Sequence, residues 1–441
     1  RWPHSVADHF EIGTKQTLEK VDRDVLLAFH KQFYSANLMN LSLLSNLDLD
    51  ELERLARLYF SEIKNYSTEP IKYPENYLSE KETLRLLEIV PVKDVKRLVL
   101  EFPTPAFYNH YQSKPENLLS YLIGHEGKGS LLSYLKAEGL ATGIGGWGSS
   151  ATYDYGSFNI WVELTNDGFD NYETVLSACF SYIEMLKKSG YQSFIFNENK
   201  ILAQLEEQYS DHGEGSSLAI ELANNLAFYP IEDVERVKFL YGTENEEVYN
   251  MFLSYLRPDN MLVTLSGKGL ETNQIEKWYS AQYNYKESNG DLYQSLLSPE
   301  TIDLLKMPSA NQFMPQSIQI KEIKNSSSYA ELLHSTRGMK IYHSRDLEFN
   351  RPKASLKYKI RFPETINSLN NSVLMDLYIA CVNEILNEVA YPAYLAGTEF
   401  SITNDSEGIL INVNGYDSSL PLLMSSIINA LTEISLDKKR F

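Results

Sequence analysis

The chain repeats itself over a long interval. Residues 84–103, LRLLEIVPVKDVKRLVLEFP, end in a stretch where Leu98, Leu100 and Phe102 alternate with Arg97, Val99 and Glu101. Residues 339–363 echo it, with Leu356, Tyr358, Ile360 and Phe362 alternating against Lys357, Lys359 and Arg361. A period of two marks a β-strand with one buried face. Both stretches close on Phe-Pro, and a residue without a backbone N–H is expected to stop the ladder there. The segments after each Phe-Pro match too. A helical stretch ends at YLKAEG (134–139) in one and at YLAG (394–397) in the other. Strands then read FNIWVELT (158–165) and ILINVNG (409–415), and amphipathic helices read 169–188 and 419–434. Gly139 and Gly397 stand just past a helix C-terminus, where a left-handed backbone is favoured.

A second echo is independent of the first. FYSANLMNLSLLS (33–45) is similar to YLRPDNMLVTLSG (255–267), each a helix end, a polar turn, an Asn and an apolar strand, with a further helix expected at 48–63 and 273–282. A unit's ending therefore stands at 20–65 without its beginning, and a beginning stands at 339–441 without its ending. A period of about 220–260 residues is far longer than the roughly 20–50 of solenoid repeats. The fold class predicted is α+β, in repeated domains that each place helices over a mixed, largely antiparallel sheet. One complete domain, 79–301, is flanked by two partial ones, 1–78 and 329–441. Residues 302–328 break both periodicities with Pro, Ser and Asn and read as a linker.

Composition removes several functions. A formal net charge of -19 opposes a phosphate backbone, so no nucleic-acid partner is expected. No apolar run approaches the roughly 18 residues of a membrane span, so no membrane partner is expected either. The chain opens RWPHSVADHF, so any targeting segment is expected outside it, and a cytoplasmic location is the working expectation. The two cysteines, Cys179 and Cys381, sit in apolar helical patterns and read as buried thiols. The Asn325-Ser326-Ser327 sequon is of the kind chance produces. The acidic stretch 198–208 reads as a solvated helix face with an apolar stripe. HGEGSS (212–217) lacks the strand, loop and Lys of a phosphate site.

LIGHEGKGSLLSYLKAEGLATGIGGWG (122–148) resembles the second domain of the insulin-degrading, insulysin-like branch of the pitrilysin zinc metallopeptidases. EIVPVKDVKRLVLEFP, FYSANLM, WYSAQY (278–283), NQFMPQ (311–316) and EISLDKKRF (433–441) extend the resemblance along the chain. It implies a four-domain parent whose halves close over a chamber. This chain would supply the end of the catalytic first domain, all of the second, the linker and the start of the third. It also implies a zinc metalloendopeptidase acting on short peptides, with peptides and the missing parts of its own chain as partners. Homo-oligomerisation of the parent is left open. The alternative is a catalytically inactive relative serving as a peptide-binding or structural scaffold.

Members of that family hold zinc with His-x-x-Glu-His, two His one helical turn apart and a Glu that activates water. None of His4, His9, His30, His110, His125, His212, His334 or His343 stands in that pattern, and Lys128-Gly129 follows His125-Glu126 where a second His would be needed. No catalytic residue and no metal ligand is therefore assigned here, and the parent's zinc is expected outside this chain. The resemblance does assign Gly124, Glu126, Ile144, Gly145 and Gly146 to an exosite that anchors a peptide's N-terminus. The residue types suit the task. A free amine needs a carboxylate, an extended peptide needs an open strand edge, and glycines at 143, 145 and 146 admit close backbone approach. The plainer reading is that a glycine-rich stretch after a helix is only a turn. Trp147 departs from the family, which usually has a polar residue or Gly there. Asn117 and Tyr121 stand where two His are often found. Tyr153, Tyr155 and Phe158 flank the stretch, as packing residues or as contacts for substrate side chains.

Overall fold

A computed structural model describes residues 15–433 apart from 20, 73–77, 79–80, 151, 210–212, 316–318, 321–328, 348–350, 363–367 and 406. They fall into two compact units. The first is Arg1–His125 with Gly129–Pro308, the second Ser309–Phe441 with Glu126–Lys128.

The first unit runs α1 (Lys15–Leu18), α2 (Arg23–Phe33), α3 (Leu49–Phe60), β1 (Leu84–Val90), β2 (Arg97–Pro105), α4 (Pro115–Ile123), α5 (Leu131–Ala137), β3 (Ala141–Ser150) and β4 (Tyr155–Leu164). It continues with α6 (Asn166–Asp170), α7 (Tyr172–Ser189), α8 (Ser193–Tyr209), α9 (Gly215–Asn225), α10 (Glu246–Ser254), β5 (Leu262–Ser266), β6 (Gln274–Ile275), β7 (Gln282–Ser288) and α11 (Asp291–Leu297). Its seven-stranded sheet is ordered β3-β4-β2-β5-β1-β7-β6. All neighbours are antiparallel except β1 and β5. The alternation at 98–102 sets the register: Leu98, Leu100 and Phe102 lie opposite Val162, Ile160 and Phe158, and all six are fully buried. Helix α7 covers that face with Val175, Leu176, Cys179, Tyr182, Ile183 and Leu186, a three-to-four-residue spacing that puts them on one stripe. The Tyr182 hydroxyl donates to the Leu122 carbonyl at 2.9 Å and so ties α7 to α4.

The second unit holds β8 (Glu331–Ser335), β9 (Lys340–His343), β10 (Lys353–Arg361), α12 (Leu369–Leu395), β11 (Glu399–Asp405), β12 (Gly408–Tyr416) and α13 (Leu420–Thr432). Its three-stranded sheet, β10-β12-β11, repeats the order β2-β4-β3 of the first unit. The registers correspond as well. Leu100, Ile160 and Gly146 lie side by side across one, and Ile360, Ile409 and Asn404 across the other. Gly139 and Gly397 both have φ of 74°, the left-handed conformation expected of them. Of the segment read as a linker, Leu305 is buried in the first core and Phe313 in the second, where Ser419 Oγ donates to the Phe313 carbonyl at 2.7 Å. Cys179 and Cys381 are buried thiols. The acidic helix α8 buries Ile195, Phe196, Ala203 and Leu205. The sequon, His212 and most of EISLDKKRF lie outside the described residues.

Five expectations are corrected. Strand β2 does not stop at Phe102 but runs to Pro105, because β5 has ended by then: its pairing reaches only Glu101, and Asn260 Nδ2 donates to the Pro103 carbonyl at 2.9 Å on the vacated side. A missing N–H costs the ladder nothing where no strand faces it. Residues 39–45 form no strand, since none of the described residues offers them a sheet partner, and Leu41, Leu43 and Leu44 are exposed. No helix spans 273–282. Ser280 at φ of 56° turns the chain, and Tyr283 and Tyr285 then alternate along β7. Strand β9 pairs with β8 and stays out of the β10-β12-β11 sheet, whereas β1, at the matching place in the first repeat, joins the main sheet between β5 and β7. Lastly, α12 is one continuous helix where the first unit breaks its counterpart into α4 and α5 at residues 124–130.

Nothing lies within 4 Å of a Cβ built on Gly139, so substitution there meets only backbone strain. Gly139→Ala is expected to cost about 1–2 kcal/mol in urea denaturation, and Gly139→Asn clearly less, because Asn tolerates the left-handed region. Equal losses would contradict the strain argument.

Candidate functional site

Strand β3 reads ATGIGGWGSS and forms one edge of the seven-stranded sheet, bonded to β4 on one side and to no strand on the other among the described residues. Alternation divides its side chains. Ile144, Gly146 and Gly148 face the helices; Gly143, Gly145 and Trp147 face the opposite way. The glycines have structural causes within the chain. A Cβ on Gly146 would stand 3.1 Å from Ile123 Cγ2 and 3.2 Å from Phe158 Cζ, and one on Gly148 would stand 2.6 Å from Glu116 Cβ. Helix α4 can therefore close against the strand. On the other face a Cβ on Gly145 would collide with the Trp161 indole nitrogen, so that ring lies across the glycine. At these glycines β3 is thus covered on both faces by the protein's own atoms, while no strand among the described residues pairs with its outer edge.

Gly124 ends α4, donating its N–H to the Ser120 carbonyl at 2.9 Å. A Cβ there would lie 3.8 Å from Gly145 Cα and 3.9 Å from Gly146 N. The C-terminal end of α4, which carries the negative end of the helix dipole, therefore abuts the middle of β3. That brings Gly124, Ile144, Gly145 and Gly146 together, with Ile144 buried beneath the strand. Glu126 follows two residues after Gly124 in the loop between α4 and α5, half-buried and on no helix, and it groups with the second unit. His125 is buried with its ring 5.8 Å from that of Tyr121, and burial pushes its pKa down to about 4, so it is neutral at pH 7.

Of the two readings of Tyr153, Tyr155 and Phe158, packing is the one the geometry supports. Both Tyr155 and Phe158 are buried, Phe158 within the first core on the inner face of β4 and Tyr155 on the opposite face of that strand. Tyr153 is exposed, but its hydroxyl donates to the Ala227 carbonyl and its ring leans on Phe228 at 4.7 Å. Asn117 donates to the Tyr241 hydroxyl at 3.0 Å.

Glu116 is a site that sequence reasoning passes over. It occupies the first turn of α4, where an acid reads as a solvated partner of the dipole. Its enclosure arises from the tertiary fold, as where Gly148 closes on it so tightly that a Cβ would stand 2.6 Å from Glu116 Cβ, and no local pattern signals that. Its Oε2 is buried without a hydrogen-bond partner. Burial raises its pKa to about 7, opposed by the nearby Lys114 ammonium, which donates to the Val237 carbonyl at 2.6 Å.

The duplicated sheet-and-helix units, with a glycine-rich edge strand closed on one side by a helix end, define a repeated α+β architecture. The chain belongs to the peptidase M16 family: its residues 20–202 match the model of the "peptidase M16 inactive domain" and residues 208–441 that of the "middle or third domain of peptidase M16". It is 32% identical to insulin-degrading enzyme of Bos taurus over 98% of this chain and 43% of that relative. It is also 32% identical to the A-factor-processing enzyme of Saccharomyces cerevisiae, over 98% of this chain and 43% of that relative. The crystal structure of pitrilysin superposes with a TM-score of 0.82 at 22% identity, over 95% of this chain and 45% of that one, a likeness of fold. The chain therefore spans less than half the length of these relatives.

The Glu116 carboxyl has a pH signature. It ionises near 4.5 when unfolded and near 7 when folded, so stability falls as pH rises between those values and stays reduced above them. Glu116→Gln removes this dependence. Relative to the wild type, its stability in chemical denaturation should rise from pH 5 to pH 8 by up to about 3 kcal/mol. A difference that does not change with pH would contradict the burial of an ionisable group.

Proposed function

We propose that this chain is part of a zinc metalloendopeptidase that degrades peptides in an enclosed chamber, and that it contributes the anchor for the peptide's N-terminus. The observation that carries the reading is the open edge of β3 with the negative end of α4 set against Gly145 and Gly146. An unpaired edge offers alternating N–H and C=O groups, so an extended peptide can add as a further strand with little demand on its sequence. A free amine at its start is drawn to the helix end and to Glu126, which fixes the register. Gly124 and Gly146 let the helix come close enough to act there, and Ile144 holds the strand in the core.

The names of relatives support the chemistry. They include insulin-degrading enzymes and a "putative zinc protease" of Schizosaccharomyces pombe. This chain's own residues do not fit the zinc: it has no His-x-x-Glu-His, and no three His, Cys, Asp or Glu gather among the described residues. In this reading the metal centre and its water belong to a part of the parent outside the chain. A cytoplasmic compartment remains part of the proposal.

Two outcomes are expected. The isolated chain, given zinc and a quenched fluorescent peptide, should show no turnover; chelator-sensitive cleavage that follows the protein through purification would contradict this. Glu126→Gln should weaken a free-amine peptide about five- to tenfold in direct titration while leaving its acetylated form unchanged, since only the former makes the charge-assisted bond. Equal binding of the two forms to the unaltered protein would remove the anchor.

A further inference from the structure

The outer face of β3 distinguishes one residue. Trp161 covers Gly145 and approaches Gly143, where a Cβ would meet its ring at 3.5 Å. The Arg97 guanidinium stands 5.6 Å from the centre of that ring, and Arg97 is itself paired with Glu163. Trp161 is thus engaged on both sides. Trp147, two residues past Gly145 on the same face and one strand nearer the open edge, is 42% exposed. The fold does not demand a tryptophan there. In the second unit the register places Asp405 at the corresponding position of β11, and that carboxylate pairs with Lys359 at 2.7 Å.

We infer that Trp147 reads one side chain of the anchored peptide and selects an aromatic or large aliphatic residue there; this rests on the proposed addition of the peptide to the β3 edge. A strand added to an edge places one residue directly opposite each residue of the host, with Cβ atoms about 4.5–5.5 Å apart. On the outer face, the residues opposite Gly143 and Gly145 meet no side chain on β3. Only the residue opposite Trp147 meets one with a large apolar surface, and aromatic cross-strand pairs are the favourable kind. The net charge of -19 further disfavours an acidic residue at that place. Selectivity is therefore concentrated at a single peptide position, with its neighbours tolerated broadly.

The test uses the 441-residue chain and free-amine hexapeptides in a Gly, Ser and Ala background, with Phe moved through the first five positions and with Leu, Arg and Asp at the best of them. One position should bind Phe about three- to tenfold tighter than Ala, Leu should follow Phe, and Asp should bind weakest. Trp147→Ala should abolish that gain while keeping the preference for a free amine, and Trp147→Phe should keep most of it. A gain from Phe at no position, a gain that survives Trp147→Ala, or Arg preferred over Phe would overturn the inference. Acetylated peptides separate the two ideas. If they show the same Phe gain with undiminished affinity, the amine anchor fails and the Trp147 contact stands. If no peptide binds in either form, both fall.

Discussion

The rest of the site depends on the close approach of α4 to β3. Gly146 and Gly148 have no side chains where Ile123 and Glu116 come down on the strand, and Gly124 has none where the helix end meets Gly145. That packing fixes a helix C-terminus beside the middle of an edge strand. It also explains why the strand can be glycine-rich without being a turn. Its extended conformation is held by nine residue pairs with β4 and by helix contacts on its inner face, not by propensity. Enclosure of Glu116 is a cost of the same contact.

The internal duplication shows which of these features the fold itself requires. Both units share strand order, register and a left-handed glycine after the helix. They part at the helix preceding the edge strand. In the second unit it is unbroken over Leu369–Leu395, and β11 carries Ser401, Thr403 and Asn404 where β3 is mostly glycine. In the first unit three glycines, at 124, 127 and 129, stop the helix, and Ser130 restarts it by accepting from the Ser133 N–H at 3.1 Å. The interruption brings a helix end, with its dipole, to the strand. A duplicated scaffold with one copy altered at a helix end and an adjoining edge is the arrangement expected when a binding site is added to an existing fold.

The legibility of each feature in the sequence depends on where its signal lies. Leu98, Leu100 and Phe102 declare their strand because one face is wholly buried and the other is not. Gly139 and Gly397 declare their caps because only local backbone geometry is involved. The break at 124–130 is harder to read, since apolar residues continue on both sides of it, at Leu122, Ile123, Leu131 and Leu132. The WYSAQY segment misleads for a related reason: its aromatic spacing suits a helix as well as a strand, and the decision is made by pairing of β7 with β1, some 200 residues earlier in the chain. Glu116 and the covering of Gly145 by Trp161 leave no mark in the sequence at all, because both arise from contacts between distant elements. The proposed site residues Gly124, Ile144, Gly145 and Gly146 come to notice through family resemblance, and the structure supplies a packing reason for the glycines among them.

The central claim is that the open edge of β3 accepts a peptide strand. Amide hydrogen exchange followed residue by residue by NMR tests it most directly. Along β3, alternate N–H groups are bonded to β4 and the others point outward from the edge. Saturation with a free-amine peptide should slow exchange of the outward amides between Gly143 and Trp147 in an alternating pattern, with the β4-bonded amides and the opposite sheet edge at β6 and β7 unchanged. Protection that is uniform along β3, or that appears at β6 and β7 in its place, would contradict strand addition at this edge.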